Sequence, residues 1–327
     1  MASAVPLVRV VRSGLVESVH TGHVAVCDAD GRLLLGLGDP DRALFSRSST
    51  KPLQAAVSLR RIGEELPEDL VAVMCASHNA EPVHLAAVRR LLRRGGVPVS
   101  ALGCPPAFPA LAGQARRATG PARIQHYCSG KHAGMLVASA RSGWELETYL
   151  SPGHPLQREI LRAVRRATGV ERPLVGVDGC GAPVHGVTLR AMATLFARLA
   201  RPERLGPYAT TAARAVAAMR SHPYLVAGRG RSDTMLMKEV PGVVSKVGAE
   251  GLHCTAIIED GIGVAVRIED GGDRASGPAL IHALAEIGAI SAEQLERLAP
   301  IARPPVLGGG RRVGEVVAGF RLRKPLR

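Results

Sequence analysis

The pattern of apolar and polar residues predicts strands near both ends of the chain and helices between them. Residues 16–25 are rich in β-branched side chains, residues 28–31 have turn chemistry, and residues 33–37 are again apolar, so we predict a β-hairpin. Apolar positions follow helical spacing from residue 52 to residue 62. This spacing predicts a helix that starts shortly after Ser48.

The rest of the pattern predicts a helical lobe followed by an antiparallel sheet. Residues 64–170 are mostly helical in pattern, with Pro- and Gly-rich breaks. Because Asp260-Gly261 has the chemistry of a hairpin turn, the strands beside it should be antiparallel. The predicted fold class is therefore α+β, an antiparallel sheet covered by helices with the lobe inserted. The further predicted strands are 174–177, 243–247, 254–259, 262–268 and 312–320, and the further predicted helices are 187–199 and 279–287.

Composition places the chain among globular proteins. Of its 327 residues, 46% are hydrophobic and 21% charged, which excludes wholesale disorder and a collagen-like fibre. No stretch approaches the ~18 apolar residues that cross a bilayer, and the N-terminus lacks the pattern of a secretory signal. We therefore expect no membrane partner and a cytoplasmic location. Six scattered cysteines indicate thiols or a metal site rather than a disulfide framework.

The net charge of +14 allows a nucleic-acid-binding protein as an alternative. The arginines are spread along the chain, however, and only nine residues are aromatic, which leaves little to stack on bases. We therefore expect an Arg-rich solvated surface and no nucleic-acid partner. Of the 42 basic residues only five are Lys. Since Arg does not lose its proton at ordinary pH, a retained Lys is a candidate for chemistry that needs a neutral amine.

One such lysine stands three residues after a serine where the first helix begins. Ser48 and Lys51 would share a face of the first turn, and a neutral Lys amine could accept the proton of the hydroxyl and make it a nucleophile. Such an amine needs its pKa lowered by roughly 3 units, through burial or a second cation. The alternative is that Ser48 only caps the helix.

Two further segments concentrate polar residues beside apolar runs. Residues 75–82, Cys-Ala-Ser-His-Asn-Ala-Glu-Pro, follow an apolar run and either face a cleft or cap the next helix. Lys246 lies on a predicted strand and is followed closely by Gly248, which allows close approach of a ligand. It could face a cleft, or it could be a solvated residue at a sheet edge.

Two glycine-flanked cysteines could contribute to a zinc site. Cys128 and Cys180 supply two thiolates, and zinc takes about four ligands. A third ligand could come from His132, Asp178 or a deprotonated Lys131. The alternative is two small buried thiols in tight turns.

Five motifs, in chain order, resemble the asparaginase II family: Ser-x-x-Lys-Pro, Ala-Ser-His-x-x-Glu-Pro, Cys-Ser-Gly-Lys-His-Ala-Gly-Met, Val-Asp-Gly-Cys-Gly-Ala-Pro and Lys-x-Gly-Ala-Glu-Gly. That family comprises the rhizobial-type L-asparaginases with a serine β-lactamase-like fold. The resemblance implies one asparaginase II-type domain over residues 1–327 and a homodimer. It also implies hydrolysis of the side-chain amide of L-asparagine. A β-lactamase-like or peptidase-type serine hydrolase is the alternative enzyme.

The resemblance further implies two Ser–Lys pairs and a zinc site of two Cys and one Lys. Beside the zinc site it places Asp178 and His132, whereas Lys238 acquires no role. A zwitterionic substrate also needs a clamp for its carboxylate, which Arg47 or Arg231 could supply. The pairs map onto Ser48 with Lys51 and Ser77 with Lys246, and the zinc ligands onto Cys128, Lys131 and Cys180.

The chain departs from the family pattern at two places. Ala80 stands where a Gly is usual, and residues 125–127, Gln-His-Tyr, stand where an Asn-containing stretch is expected. Both changes should affect substrate preference and efficiency more than the class of reaction.

Overall fold

The structure is a computed structural model that describes residues 3–325, and it comprises two compact units. The first unit contains the residues up to 49, residues 187–201 and the residues from 235 onward, and the second contains 50–186 and 202–234. The strands are β1 (Val5–Arg12), β2 (Leu15–Asp28), β3 (Leu33–Leu37), β4 (Ala43–Phe45), β5 (Leu174–Val177), β6 (Pro183–Thr188), β7 (Val243–Val247), β8 (Leu252–Ile257), β9 (Ile262–Ile268), β10 (Pro305–Gly308) and β11 (Arg311–Ala318). The helices are α1 (Lys51–Ile62), α2 (Glu68–Met74), α3 (Pro82–Arg94), α4 (Ala112–Ala115), α5 (Ser129–Arg141), α6 (Pro155–Thr168), α7 (Leu189–Ala200), α8 (Ala209–Ser221), α9 (Pro223–Val226), α10 (Ser232–Glu239), α11 (Asp273–Glu286), α12 (Ala292–Arg297) and α13 (Ala299–Ala302).

The first unit is built on an eight-stranded antiparallel sheet. Its strand order is β10-β11-β1-β2-β9-β8-β7, and β3 pairs with β2 off this path. The predicted hairpin of β2 and β3 is confirmed. Asp28 Oδ1 accepts the N–H groups of Asp30 and Arg32, and Gly31 has a φ of 88° in the left-handed region, as the turn requires.

The β8–β9 hairpin is also confirmed, with Gly261 at a φ of 68° in its turn. Two strands of this sheet were not predicted from the sequence. These are β1, where Pro6 and Arg9 interrupt the apolar pattern, and the short β10. Because β1 lies between β2 and β11, partners distant in sequence stabilise it where its own pattern is weak.

Helices α7 and α11 pack against this sheet. Gly263 on β9 permits the close approach of α7, because a Cβ at that position would lie 1.9 Å from the carbonyl oxygen of Ala193. The structure places the start of α11 at Asp273, earlier than the predicted residue 279, and Pro278 lies inside the helix. The residues before Pro278 were not predicted as helix, and a proline is usually confined to the first turn of a helix.

The second unit is mostly helical, as the sequence predicted, but it extends beyond residues 64–170. Helix α5 packs against α1, α2 and α3, and α8 packs against α1 and α2. A Cβ on Gly130 of α5 would lie 2.0 Å from the Val73 carbonyl oxygen of α2, so glycine is needed for this helix contact. The α+β class predicted from the sequence is confirmed by the sheet and the helical unit together.

The second unit also contains the β5–β6 hairpin, of which only β5 was predicted. Its connection carries Asp178 and Cys180. The Asp178 N–H donates to the Ala182 carbonyl (2.9 Å), and Gly181 has a φ of 84°. This turn fixes the position of both side chains with respect to the hairpin.

All six cysteines are buried, and no disulfide joins them within residues 3–325. Free cysteines agree with the prediction of thiols or a metal site, and the choice between these two stays a prediction. In the same part of the chain, no helix is both long and apolar enough to cross a membrane.

Candidate functional site

The start of α1 differs from a simple capped helix. A 3₁₀ turn, Arg47–Thr50, precedes α1, which begins at Lys51. The N-cap residue is Thr50, so the alternative in which Ser48 caps the helix is wrong. Ser48 is instead a buried residue of the 3₁₀ turn, 9% exposed. Arg47 has a φ of 44°, a left-handed conformation that is unfavourable for a residue with a Cβ.

Lys51 and Ser77 are in direct contact in the second unit. The Lys51 Nζ lies 2.7 Å from Ser77 Oγ and 2.6 Å from the carbonyl oxygen of Ala76. Lys51 is fully buried and Ser77 is 5% exposed. The structure thus joins one member from each of the two Ser–Lys pairs that the resemblance implies, and it places a lysine amine within proton-transfer distance of a serine hydroxyl.

The loop that carries Ser77 is held by backbone hydrogen bonds from distant segments. The Ser77 N–H donates to the Val226 carbonyl (2.9 Å), and the Asn79 N–H donates to the Ala227 carbonyl (3.0 Å). Ala80 has a φ of 60°, a left-handed conformation that glycine, the residue implied here by the resemblance, adopts without strain. The loop is therefore fixed by the last residue of α9 and the residue after it, as well as by its own sequence.

Glu81 at the end of this loop is a further anchor. Tyr224 Oη donates to Glu81 Oε2 (2.6 Å), and the Arg229 N–H donates to Oε1 (2.9 Å). Burial by itself raises the pKa of Glu81, but these hydrogen bonds lower it below its usual value, so the carboxylate is charged. Segment 75–82 thus follows the end of α2 and leads into α3, for which Glu81 is the N-cap residue. Ser77 lies between these two helices.

Sequence reasoning missed the residues that anchor this loop, which are Val226 at Ser77 and Tyr224 and Arg229 at Glu81. They lie about 150 residues further along the chain, and no spacing in the sequence connects them with Ser77. Arg231, which the sequence proposed as a substrate clamp, lies nearby, with Nη1 3.5 Å from Asn79 Oδ1. It is therefore close to the Ser77 loop.

His78 follows Ser77 and is buried and neutral. Its Nε2 is 3.0 Å from Ser129 Oγ. Burial lowers the pKa of His78 well below its usual value, and the charges of His84 and Lys51 lower it further. A neutral imidazole here adds no cation to the surroundings of Lys51.

In the first unit, Lys246 is a buried residue of β7, so the alternative of a solvated edge lysine is wrong. Its Nζ donates to the Val247 carbonyl oxygen (2.9 Å), and its own carbonyl oxygen accepts the hydroxyl of Ser49 (3.0 Å). Ser49, the residue after Ser48, is therefore hydrogen-bonded to β7, the strand that carries Lys246. Arg47 in the same unit lies 3.8 Å from the Glu250 carboxylate.

The three implied zinc ligands meet in the second unit. Lys131 Nζ donates to Cys180 Sγ (3.0 Å), and all three side chains are buried. Burial raises the pKa of the Cys128 thiol, but the hydrogen bond with Cys180 and the charges of Lys51 and Lys131 outweigh it, so the pKa lies well below its usual value. Burial lowers the pKa of Lys131, but the two sulfurs outweigh it and raise that pKa. The group therefore combines a thiolate, a thiol and an ammonium.

The two residues that the resemblance implies beside this group, Asp178 and His132, lie there. Cys180 Sγ donates to Asp178 Oδ2 at 3.6 Å, and His132 Nδ1 is 2.5 Å from Tyr149 Oη. His132 Nε2 is buried and makes no hydrogen bond of normal geometry to the part of the chain that is described. Two sulfurs and an amine are ligand types that zinc accepts, and the imidazole of His132 interacts with Cys180 beside them, so the residues fit the metal.

No cluster of three or more His, Cys, Asp or Glu side chains suited to a metal ion is present in residues 3–325. A three-ligand site at this place therefore depends on Lys131, whose ammonium would have to lose a proton before its nitrogen could coordinate a metal. The zinc site stays a prediction.

The family model described as L-asparaginase II matches residues 8–318. A β-lactamase from Mycobacterium bovis is similar with a TM-score of 0.45 and 18% identity, over 81% of this chain and 94% of that chain. A putative β-lactamase from Bacteroides dorei has a TM-score of 0.46 and 15% identity, over 82% and 93%. A Bacillus subtilis glutaminase, in covalent complex with 5-oxo-L-norleucine, has a TM-score of 0.38 and 14% identity, over 83% and 89%. No curated protein sequence matches the chain. Because all three TM-scores are below 0.5, no function is inferred from these structures, and the family is established by the match to residues 8–318.

Proposed function

Because the chain belongs to the L-asparaginase II family, we propose that this hydrolase releases ammonia from the side-chain amide of L-asparagine and leaves L-aspartate. The observation that carries the proposal is the contact between the buried Lys51 amine and the Ser77 hydroxyl, 2.7 Å apart. A serine hydroxyl becomes a competent nucleophile when a neighbouring base takes its proton, and a neutral lysine amine can be that base.

In the proposed reaction Ser48 Oγ attacks the carboxamide carbon, and Lys51 accepts the hydroxyl proton. The C–N bond then breaks as the Lys51 ammonium returns a proton to the leaving nitrogen, so ammonia departs and a β-aspartyl ester remains. Water next attacks the ester carbonyl and releases aspartate and the free serine. The resemblance implies Ser77 and Lys246 as the second pair. In the proposed reaction the hydroxyl of Ser77 relays protons to and from Lys51, which it contacts.

The contact between Lys51 and Ser77 supports a proton path through Ser77, and it makes Ser77 the second candidate for the nucleophile. The charged substrate carboxylate requires a cation, for which Arg231 beside the Ser77 loop and Arg47 are the candidates. The homodimer and the cytoplasmic location stay predictions.

The nucleophile is tested by trapping the ester in the variants Ser48→Ala and Ser77→Ala. Protein mixed with L-asparagine is quenched in acid, and digestion with mass spectrometry locates the β-aspartyl group. We expect the adduct on Ser48 in the parent protein, no adduct in Ser48→Ala with a loss of at least ~10²-fold in ammonia release, and an adduct that still forms at Ser48, but more slowly, in Ser77→Ala.

Ser58→Ala is the matched control, since Ser58 is a buried serine of the same helix α1 whose hydroxyl bonds only to the Gln54 carbonyl within the described contacts. It should keep the activity of the parent protein. An adduct on Ser77, together with undiminished ammonia release by Ser48→Ala, would reverse the roles of the two serines. Turnover of the β-lactam nitrocefin in place of L-asparagine would favour the alternative serine hydrolase.

We also propose that Cys128, Lys131 and Cys180 hold a zinc ion, with His132 and Asp178 beside it. When bound, zinc supplies a fixed positive charge that polarises or orients a substrate group. Cys128 and Cys180 bind as thiolates, and Lys131 must give up a proton for its nitrogen to coordinate.

Metal content tests the zinc proposal independently of activity. We expect about one zinc per chain in the parent protein by elemental mass spectrometry, and a loss of most of that zinc in Cys180→Ser and Lys131→Met. Cys254→Ser, which alters a buried cysteine of β8 in the first unit, should keep the metal. Parent-level zinc in Lys131→Met would show that Lys131 is not a ligand.

A further inference from the structure

A groove on the second unit is lined by four arginines and lies at the opposite end of α1 from Lys51. Arg60 lies nine positions after Lys51 on α1, a rise of about 14 Å, so the groove is distinct from the contact between Lys51 and Ser77. Its volume is about 630 Å³, within the range of sites for small molecules. The lining residues are Arg60, Arg61, Glu159, Arg162, Arg166, Pro207 and Tyr208.

Two helices present these arginines to the same space. Arg60 and Arg61 are in the last turn of α1. On α6, Glu159, Arg162 and Arg166 are spaced by three and four residues, so they lie along one helix face. The positions of these residues on α1 and α6 therefore bring the four arginines to one place.

One buried carboxylate orients part of this cluster. Glu159 is 3% exposed at its side chain, and its two oxygens accept from Arg60 Nη1 (3.3 Å) and Arg61 Nε (2.5 Å). The Arg61 guanidinium also lies 5.2 Å from the ring centroid of Trp144. These contacts fix two guanidinium groups in the groove before a ligand arrives, which reduces the entropy lost on binding.

The groove has a surplus of positive charge. Four guanidinium groups and one carboxylate line it, which leaves three net positive charges, and Glu159 is already paired with two of the arginines. Each guanidinium has five N–H donors, so the ion pairs with Glu159 use only a fraction of the donors that Arg60 and Arg61 carry. Such a groove is electrostatically and geometrically suited to a polyvalent anion.

We propose that this groove binds a small polyphosphate group, such as pyrophosphate or the diphosphate of a nucleotide. Guanidinium groups match phosphate oxygens in a bidentate manner and stay charged at any ordinary pH. A single-stranded nucleic acid fits less well, because the one aromatic side chain of the groove, Tyr208, is buried and offers no open face for base stacking. A bound ligand would contact the last turn of the helix that begins with Lys51.

The test is calorimetric titration of the full chain with sodium pyrophosphate, with ADP and with a short single-stranded RNA, all at low salt. We expect saturable binding of one pyrophosphate per chain, weakened by added salt. The double substitution Arg162→Gln/Arg166→Gln should reduce this affinity at least tenfold. If ADP binds as tightly as pyrophosphate, the diphosphate is the group that the groove recognises. If ADP binds more tightly, the groove also contacts the nucleoside. Both results support the site.

The matched control is Arg89→Gln/Arg93→Gln, which removes two exposed arginines with the same spacing of four residues on α3. It changes the net charge equally but leaves the groove intact, so it should bind pyrophosphate as the parent protein does. Thermal melting of each variant confirms that it is folded. Equal weakening by both double variants, or tight binding of RNA without binding of pyrophosphate, would overturn the proposal, since either would indicate general attraction to a basic surface.

Discussion

Replacing Lys51 with Met is expected to reduce ammonia release from L-asparagine by about 10⁴-fold while the protein stays folded. Met fills nearly the same volume in the buried space but has no amine to accept or return a proton. The change also removes the amine 2.7 Å from Ser77 Oγ. A coupled assay of ammonia, with circular dichroism to establish folding, measures both parts of this prediction.

A further substitution separates the charge of Lys51 from its function as a base. Lys51→Arg keeps a cation at this position but cannot provide a neutral base, so it should be nearly as inactive as Lys51→Met. Lys238→Met is the control, because Lys238 is exposed and has no proposed role. Activity within tenfold of the parent in Lys51→Arg would mean that Lys51 acts through its charge alone, and the proposed proton transfer would be wrong.

Replacing Gly130 with Ala is expected to lower the free energy of unfolding by about 2–3 kcal/mol. The added Cβ would lie 2.0 Å from the Val73 carbonyl oxygen, which is a backbone atom and cannot move aside by changing rotamer. Alanine favours an isolated helix by about 1 kcal/mol over glycine, so this prediction requires the clash to outweigh that gain. Urea denaturation of the two proteins measures the difference.

The substitution Gly130→Ala should also displace residues of the candidate site. Gly130 precedes Lys131 on α5, and Val73 lies four residues before Ser77, so separation of α5 from α2 would move both polar groups. Gly113→Ala is the control, since no atom lies within 4 Å of the Cβ that it would add. Equal stability of Gly130→Ala and the parent protein would show that the two helices can separate at little cost.

Local pattern was sufficient for several elements. The β2–β3 hairpin follows from β-branched residues and an Asp-rich turn, and the two strands on either side of Gly261 follow from similar signals. The first six residues of α11, 273–278, were missed, and they end in Pro278, a residue that is unusual inside a helix. Strand β1 was missed because its pairing with β2 and β11 comes from distant parts of the chain.

The candidate site shows the same division. Residue types and motif order identified Lys51, Ser77, Lys131, Cys128 and Cys180 as candidates, because a neutral amine or a thiolate has few substitutes in such chemistry. The sequence could not assign Lys51 to Ser77, because the hydrogen bond between them joins residues 26 positions apart. The sequence likewise could not predict the hydrogen bond between Tyr224 and Glu81, since the two residues are separated by 143 positions.

By itself, the sequence determined the α+β class, the helical character of the second unit and the residues able to carry Ser–Lys or metal chemistry. These properties depend on local periodicity and on the chemistry of individual side chains. Only the tertiary structure decided which hydroxyl contacts the Lys51 amine, that Lys246 is buried, and that four arginines of α1 and α6 line one groove. Contacts of this kind depend on how helices and strands pack after folding, and the spacing of residues along the chain does not specify that packing.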